Sequence, residues 1–248
     1  MWLDMLARLI LVLLLSVPLG AMAQGDMAQG DMAQGDMAQG AADFARLAKS
    51  AGTPQIPGLR IVYLAQLGDP SRAPWTNIIL HQTEGAPGAA KSLAEGQARN
   101  PTKRGVHLWV ETDGTIYWAV PEHVIATHGD GANRNDNKYI DNSATHRKVI
   151  KSNSIGVEFN GNAPDVRVPP TPAQFAAALI LVRFLQERYD IPAERIYAHN
   201  WIDYKDARYC EGCELAERAR AQGYKPGYKP GQGELKPDAG VRVPAAAR

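Results

Sequence analysis

The stretch VHLWVETDGTIYWAV, Val106 to Val120, sets two short runs of apolar and aromatic residues on either side of Thr112-Asp113-Gly114. Asp-Gly supplies the positive φ angles of a tight turn, so the stretch reads as an antiparallel hairpin. Trp109 and Trp118 fall at alternating hairpin positions and are assigned to core packing. His107, inside an apolar strand, is expected to be a structural histidine with its hydrogen bonds satisfied. Outward from the hairpin, Trp75-Thr-Asn-Ile-Ile-Leu-His81 reads as a buried strand ending at a histidine, with Gly85 to Gly88 breaking the chain after it. Ser154-Ile-Gly-Val-Glu-Phe159 is a further strand, with Glu158 near its C-terminal end. Thr171-Pro172-Ala173-Gln174 opens a helix: Thr at the N-cap, Pro at the first helical position and Gln three residues on. Phe175, Leu179, Val182, Phe184 and Leu185 give it an apolar face before Tyr189-Asp-Ile-Pro192 ends it. Arg195-Ile-Tyr-Ala198 is a strand that delivers His199. Strands interleaved with helices predict an α/β domain, a mixed central sheet with helices packed on it.

A chain of 248 residues accommodates one such domain with appendages. The first appendage is a signal peptide over residues 1–23: Arg8, the apolar run Leu9 to Val17, then Pro18 and the Ala21-Met22-Ala23 cleavage site. The run is too short for the ~20 residues of a membrane span, so export without a stable membrane anchor is expected. Residues 24–42 repeat Met-Ala-Gln-Gly-Asp and are read as a low-complexity spacer, the domain as 43–222, and the Pro/Gly-rich end, 223–248, as a flexible tail. With 27 basic and 26 acidic residues, a nucleic-acid partner is not indicated. The polar segment from His128 to Asn153 is long enough to suggest a functional loop.

His81 and His199 each close a buried strand, and the second is followed by Cys210-Glu-Gly-Cys213. Two histidines and a third donor make a catalytic zinc site, whose fourth position stays open to water. An exported Cys-x-x-Cys pair can equally close as a disulfide, and a disulfide sulfur is no thiolate, so these two readings compete.

The motifs Trp75–His81, His107–Glu122, Ala126-Thr-His128-Gly129, Asn153–Glu158 and Ile196–His199, in that order, resemble the zinc N-acetylmuramoyl-L-alanine amidases that share a fold with peptidoglycan recognition proteins and phage-lysozyme-type amidases. The resemblance implies zinc on His81, His199 and Cys210. Cys210 stands eleven residues after His199, where relatives have eight or ten, and Asp206 and Cys213 are the other candidates. It implies Glu158 as the general base, Arg208 as the cation facing the oxyanion, two residues before Cys210, and His128 as a substrate contact. Relatives of the phage type carry a tyrosine where this chain has Val106, which throws more weight on Glu158. The implied reaction is hydrolysis of the amide between the lactyl group of N-acetylmuramic acid and L-alanine of the stem peptide. Peptidoglycan or its muropeptides would be the partner, in the periplasm. The rivals are a peptidoglycan-binding module without activity and a zinc peptidase acting elsewhere on the stem.

Overall fold

The computed structural model describes residues 39–134, 140–161, 167–203 and 210–224. The chain divides into the units Met1–Gly40 and Ala41–Arg248, and the second holds the sheet and its helices. The segment expected to be a signal peptide, nearly all of the expected spacer and the residues beyond Tyr224 lie outside the described residues. Where the edges are described they belong to structure: residues 39–42 are helical, and Tyr224 is buried, its hydroxyl donating to Glu187 Oε2 at 3.0 Å.

Among the described residues, six strands form one sheet: β1 (Ile61–Tyr63), β2 (Asn77–Thr83), β3 (Leu108–Val110), β4 (Ile116–Trp118), β5 (Ser154–Asn160) and β6 (Ile196–Ala198), in the order β1-β4-β3-β5-β2-β6. The hairpin β3–β4 is the antiparallel pair; the other pairings are parallel, so the sheet is mixed as expected. The described helices are α1 (residues 39–49), α2 (Ala89–Arg99), α3 (Pro172–Tyr189) and α4 (Cys213–Arg220). Among the described residues, no helix is long and apolar enough to cross a membrane.

The period of two along each strand sorts the side chains onto two faces. Ile78, Leu80, Leu108, Val110, Ile155, Val157, Ile196 and Ala198 join the main core with Leu181, Phe184 and Leu185 of α3 and Leu215 of α4. The alternate residues face the other way. There Trp109 packs with Ala90 and Ala94 of α2, and Ile79 packs with Val149 and Ile202. The site is built on this second face, between α2 and the segments that supply Val149 and Ile202.

Helix α3 begins as its sequence requires: Gln174 N–H donates to Thr171 Oγ1 at 3.1 Å, and Thr171 N–H donates back to Gln174 Oε1 at 3.0 Å. Gln174 then uses its amide to reach the carbonyls of Val110 and Asn160, which fixes the helix start against the sheet. Near the other end, Arg188 is 1% exposed and paired with Glu122, and it donates to the carbonyls of Ala48 and Ser50. Removing one member of such a buried pair costs about 3–5 kcal/mol. Arg188 thereby holds the end of α1 to the domain.

β2 differs from the sequence expectation. It starts at Asn77 and continues past His81 to Thr83, because β5 pairs with it over its whole length, to Thr83 opposite Asn160. His81 is therefore part of the sheet and not a loop residue beyond it.

Candidate active site

Register brings the chemistry together. On the second face, His81 of β2 is paired with Glu158 of β5, and Glu158 with Trp109 of β3. Leu80 is paired with Ala198 of β6, so His199, in the 3-10 turn His199–Trp201, emerges level with His81. Residues paired in register on neighbouring strands share a face. Trp109, Glu158, His81 and His199 thus form a row across three strands and the turn after β6, lining a cleft of about 480 Å³. Trp109 serves core and cleft at once, packing on α2 while walling the cleft.

The third element comes from the turn just before α4. Glu211 is 5% exposed, and its Oε1 lies 3.0 Å from His199 Nδ1 and 3.3 Å from His81 Nδ1. The ligand atoms of His81, His199 and Glu211 all lie within 4.8 Å of one another. Burial acts against ionisation of Glu211, but hydrogen bonds with His199 and His81 outweigh it and hold the carboxyl well below its usual range.

The remaining ring nitrogens show which atoms of this cluster carry lone pairs. His128 is held well below the usual histidine range by burial and by the neighbouring His81, so it is neutral. Its Nε2 lies 3.1 Å from the carbonyl oxygen of Ser154 and must donate to it, which leaves a lone pair on Nδ1. His81 Nε2, 3.2 Å from that lone pair, carries a proton in turn. His81 Nδ1 is then the bare nitrogen, and it faces the Glu211 carboxylate. Two electron-rich atoms at 3.3 Å attract only through a cation between them, an added proton or a metal ion. On His199, Nδ1 faces Glu211 while Nε2 faces Asp203 Oδ2 at 3.8 Å. Asp203 resists the cost of burial through His199 and the backbone N–H groups of Gly131 and Asn133, and its carboxyl is lowered. A carboxylate behind a ligating histidine orients the ring and raises its basicity.

Zinc fits these donors. Two histidines and a glutamate are the protein ligands of thermolysin and carboxypeptidase A. A tetrahedron with bonds of about 2.0–2.1 Å has edges of about 3.4 Å, near the 3.0 and 3.3 Å found here.

Of the residues expected from sequence, the structure brings together His81, His199, Glu158 and His128. Cys210 does not join them: its Sγ is bonded to Cys213, and a disulfide sulfur offers no thiolate. The side chain that lies beside the two histidines is that of the neighbouring residue, Glu211, twelve after His199. Asp206 and Arg208 lie outside the described residues. His107 is structural as expected: Nε2 donates to the Val124 carbonyl at 3.0 Å and Nδ1 accepts the Gly156 N–H at 3.1 Å. Sequence reasoning misses Glu211 and Asp203. Glu211 is masked by the two cysteines around it, whose thiols are the more conspicuous donors, whereas Asp203 carries a visible signal, standing four residues after His199.

A family model described as N-acetylmuramoyl-L-alanine amidase matches residues 71–213. The chain belongs to this family. The match spans β2 to the first residue of α4 and so holds every residue of the cluster, and it makes the protein a peptidoglycan amidase. No curated protein sequence matches the amidase. Among solved structures, it is similar to the endolysin N-acetylmuramoyl-L-alanine amidase LysCS from Clostridium intestinale URNW, at 18% identity over 61% of this chain and 86% of the other, TM-score 0.41. It is similar to PlyL at 21% identity, over 66% and 94% of the two chains, TM-score 0.44. A selenomethionine derivative of AmpD is 17% identical over 59% and 83%, TM-score 0.40.

Proposed function

We propose that this protein is an exported, zinc-dependent amidase of cell-wall turnover, with the ion on His81, His199 and Glu211, that frees the stem peptide from N-acetylmuramic acid. The observation that carries the reading is the convergence of two histidine nitrogens and one buried carboxylate oxygen, open to a cleft that Glu158 also lines. Bound there, zinc supplies hydroxide near neutral pH and polarises a carbonyl oxygen.

The chain's own residues supply the rest. Glu158, beside His81 in the register, takes the proton from the attacking water and passes it to the departing L-alanine amine. His128 and Asp203 hold the two imidazoles in the tautomers that leave Nδ1 free. Trp109 and the exposed Arg104, on the cleft wall, are placed to meet the glycan and peptide parts of the substrate.

Export is supported by the apolar run and cleavage site before residue 24, and by the disulfide, which belongs to an oxidising compartment such as the periplasm. Against the binding-module alternative stands a three-donor cluster accompanied by Glu158, which a receptor does not need. The test is metal content and product analysis on the purified protein and on His81→Ala. One zinc per chain and release of a stem peptide with a free L-alanine amine, both lost in the variant, are expected. Full turnover by His81→Ala would refute the proposal, and cleavage elsewhere in the stem would make the enzyme a peptidase.

A further inference from the structure

Glu211 is held by a motif that the amidase reaction does not itself require. The residues Cys210-Glu211-Gly212-Cys213 form one closed turn, with the two sulfurs bonded, the Cα atoms of the cysteines 5.5 Å apart and Cys213 N–H donating to the Cys210 carbonyl at 3.2 Å. Cys213 is the first residue of α4, which is anchored in the core through Leu215, Ala216 and Ala219. Gly212 lies flat on β2. Its φ is +79°, and a Cβ there would meet the Leu80 carbonyl oxygen at 2.1 Å. Its N–H donates to Gln82 Oε1 at 3.2 Å, one residue along β2 from His81. Asn200, next to His199, donates its N–H to the Glu211 carbonyl at 3.3 Å and its side-chain amide to Cys210 Sγ at 3.6 Å. The backbone of Glu211 is thus tied on one side to the two histidine segments, and on the other to α4 through the disulfide.

We propose that the Cys210–Cys213 disulfide, with Gln82, is the positioning device that presents Glu211 to His81 and His199, so that metal retention by this enzyme depends on the oxidised state of the pair. The proposal rests on the metal-site reading above. A glutamate has three side-chain torsions, and its carboxylate gains a fixed place between two imidazoles only if its backbone is already ordered. The disulfide supplies that order on the Cys210 side of Glu211, as α4 does beyond Gly212. Opening the bond with a water-soluble trialkylphosphine gives two thiols, while the phosphine takes the oxygen of a water molecule to become its oxide. The two electrons come from phosphorus and the two protons from that water. Cys210 is then released from Cys213, and the turn that carries Glu211 keeps only its contacts with Asn200 and Gln82.

The experiment measures zinc affinity by competition with a chromophoric chelator, and the absorption spectrum with cobalt(II) in place of zinc. The samples are the oxidised full chain, the phosphine-reduced chain and the variants C210S/C213S, Glu211→Gln and Gln82→Ala. The expected result is one tightly held ion in the oxidised chain. Affinity should be 10 to 100-fold weaker after reduction and in C210S/C213S, as for loss of other groups that orient metal ligands. Glu211→Gln should add little further loss in the C210S/C213S background. A purely structural disulfide would lower the unfolding temperature yet leave affinity and the cobalt spectrum unchanged. That result, in a protein that still loses metal on Glu211→Gln, overturns this proposal and spares the metal site. Tighter binding after reduction, with a thiolate-to-cobalt charge-transfer band, also overturns it by making Cys210 the ligand. Failure of the oxidised chain to bind any ion removes both readings. Should C210S/C213S not fold, the reduced wild-type chain carries the comparison.

Discussion

Gly156→Ala is a one-methyl probe of the histidine relay. Gly156 sits in β5 directly under the His128 ring, in backbone that does not need a positive φ, so alanine carries no conformational cost of its own. The added Cβ would lie 2.7 Å from His128 Nδ1, 2.8 Å from Cγ and 2.9 Å from Cε1. Non-bonded carbon contacts settle at about 3.5–4.0 Å, so the ring must rise by roughly 1 Å. Its hydrogen bonds to Ser154 O and His81 Nε2 stand at 3.1 and 3.2 Å, and a shift of that size takes them beyond bonding range. Overpacking of this kind costs about 1–3 kcal/mol of stability. Loss of the group that sets the tautomer of His81 should weaken zinc binding about 10–100-fold. Chelator competition reads the affinity, and denaturant unfolding in metal-free buffer reads the stability. The decisive arm is the His128→Ala background, where the methyl has nothing to strike and should add no further loss. Wild-type affinity in Gly156→Ala, or an equal loss with and without His128, would refute the relay.

Two further outcomes can be checked directly. Glu158→Gln should keep its zinc and lose about 10²–10⁴-fold in kcat, the range for a general base, and an unchanged kcat would reassign Glu158 to structure. His107 is pushed down to about 4 by burial, from 6.5, so the unfolded chain binds the extra proton between those values. Its contribution is complete above pH 6.5 and is lost as the pH falls towards 4. The loss amounts to about 3 kcal/mol, and a flat urea midpoint across that window in chelator would contradict the burial of a neutral His107.

The parts of the fold that were legible in the sequence are those where local chemistry and global packing agree. Asp113-Gly114 turns the hairpin and Thr171-Pro172-Gln174 starts α3, because a turn and a cap act within four residues. Pairing partners are not local. Nothing near His81 says that β5 will run alongside to Thr83, so the strand extends beyond the histidine where sequence placed its end. The same limit applies to Arg188, since nothing near it in sequence names its partner Glu122, 66 residues away. Among site residues, His81 and His199 were visible because a histidine closing an apolar run is conspicuous. Sequence offers Cys210 as the third donor, whereas the side chain beside the two histidines is that of the next residue, Glu211. Thiol chemistry makes Cys210 the stronger candidate, and only the three-dimensional turn shows that both sulfurs are consumed by each other while the intervening carboxylate points at the histidines.

Charge gives the reason why this carboxylate suits the site once the thiols are gone. A buried carboxylate needs a compensating cation, and neutral imidazoles do not provide one. The relay from Ser154 through His128 leaves His81 with its bare nitrogen towards Glu211, so in the absence of metal the pair must take up a proton to be stable. A divalent ion held there by His81, His199 and Glu211 would supply the missing cation and would keep one positive charge uncancelled beside a cleft that Glu158 also lines. That residual charge distinguishes a hydrolytic centre from a structural one. A second or third thiolate would have neutralised it, whereas two neutral histidines and one carboxylate preserve it for the carbonyl of the scissile amide. Locking the two cysteines together would therefore do more than brace Glu211: it would also keep two further anionic ligands away from a bound ion.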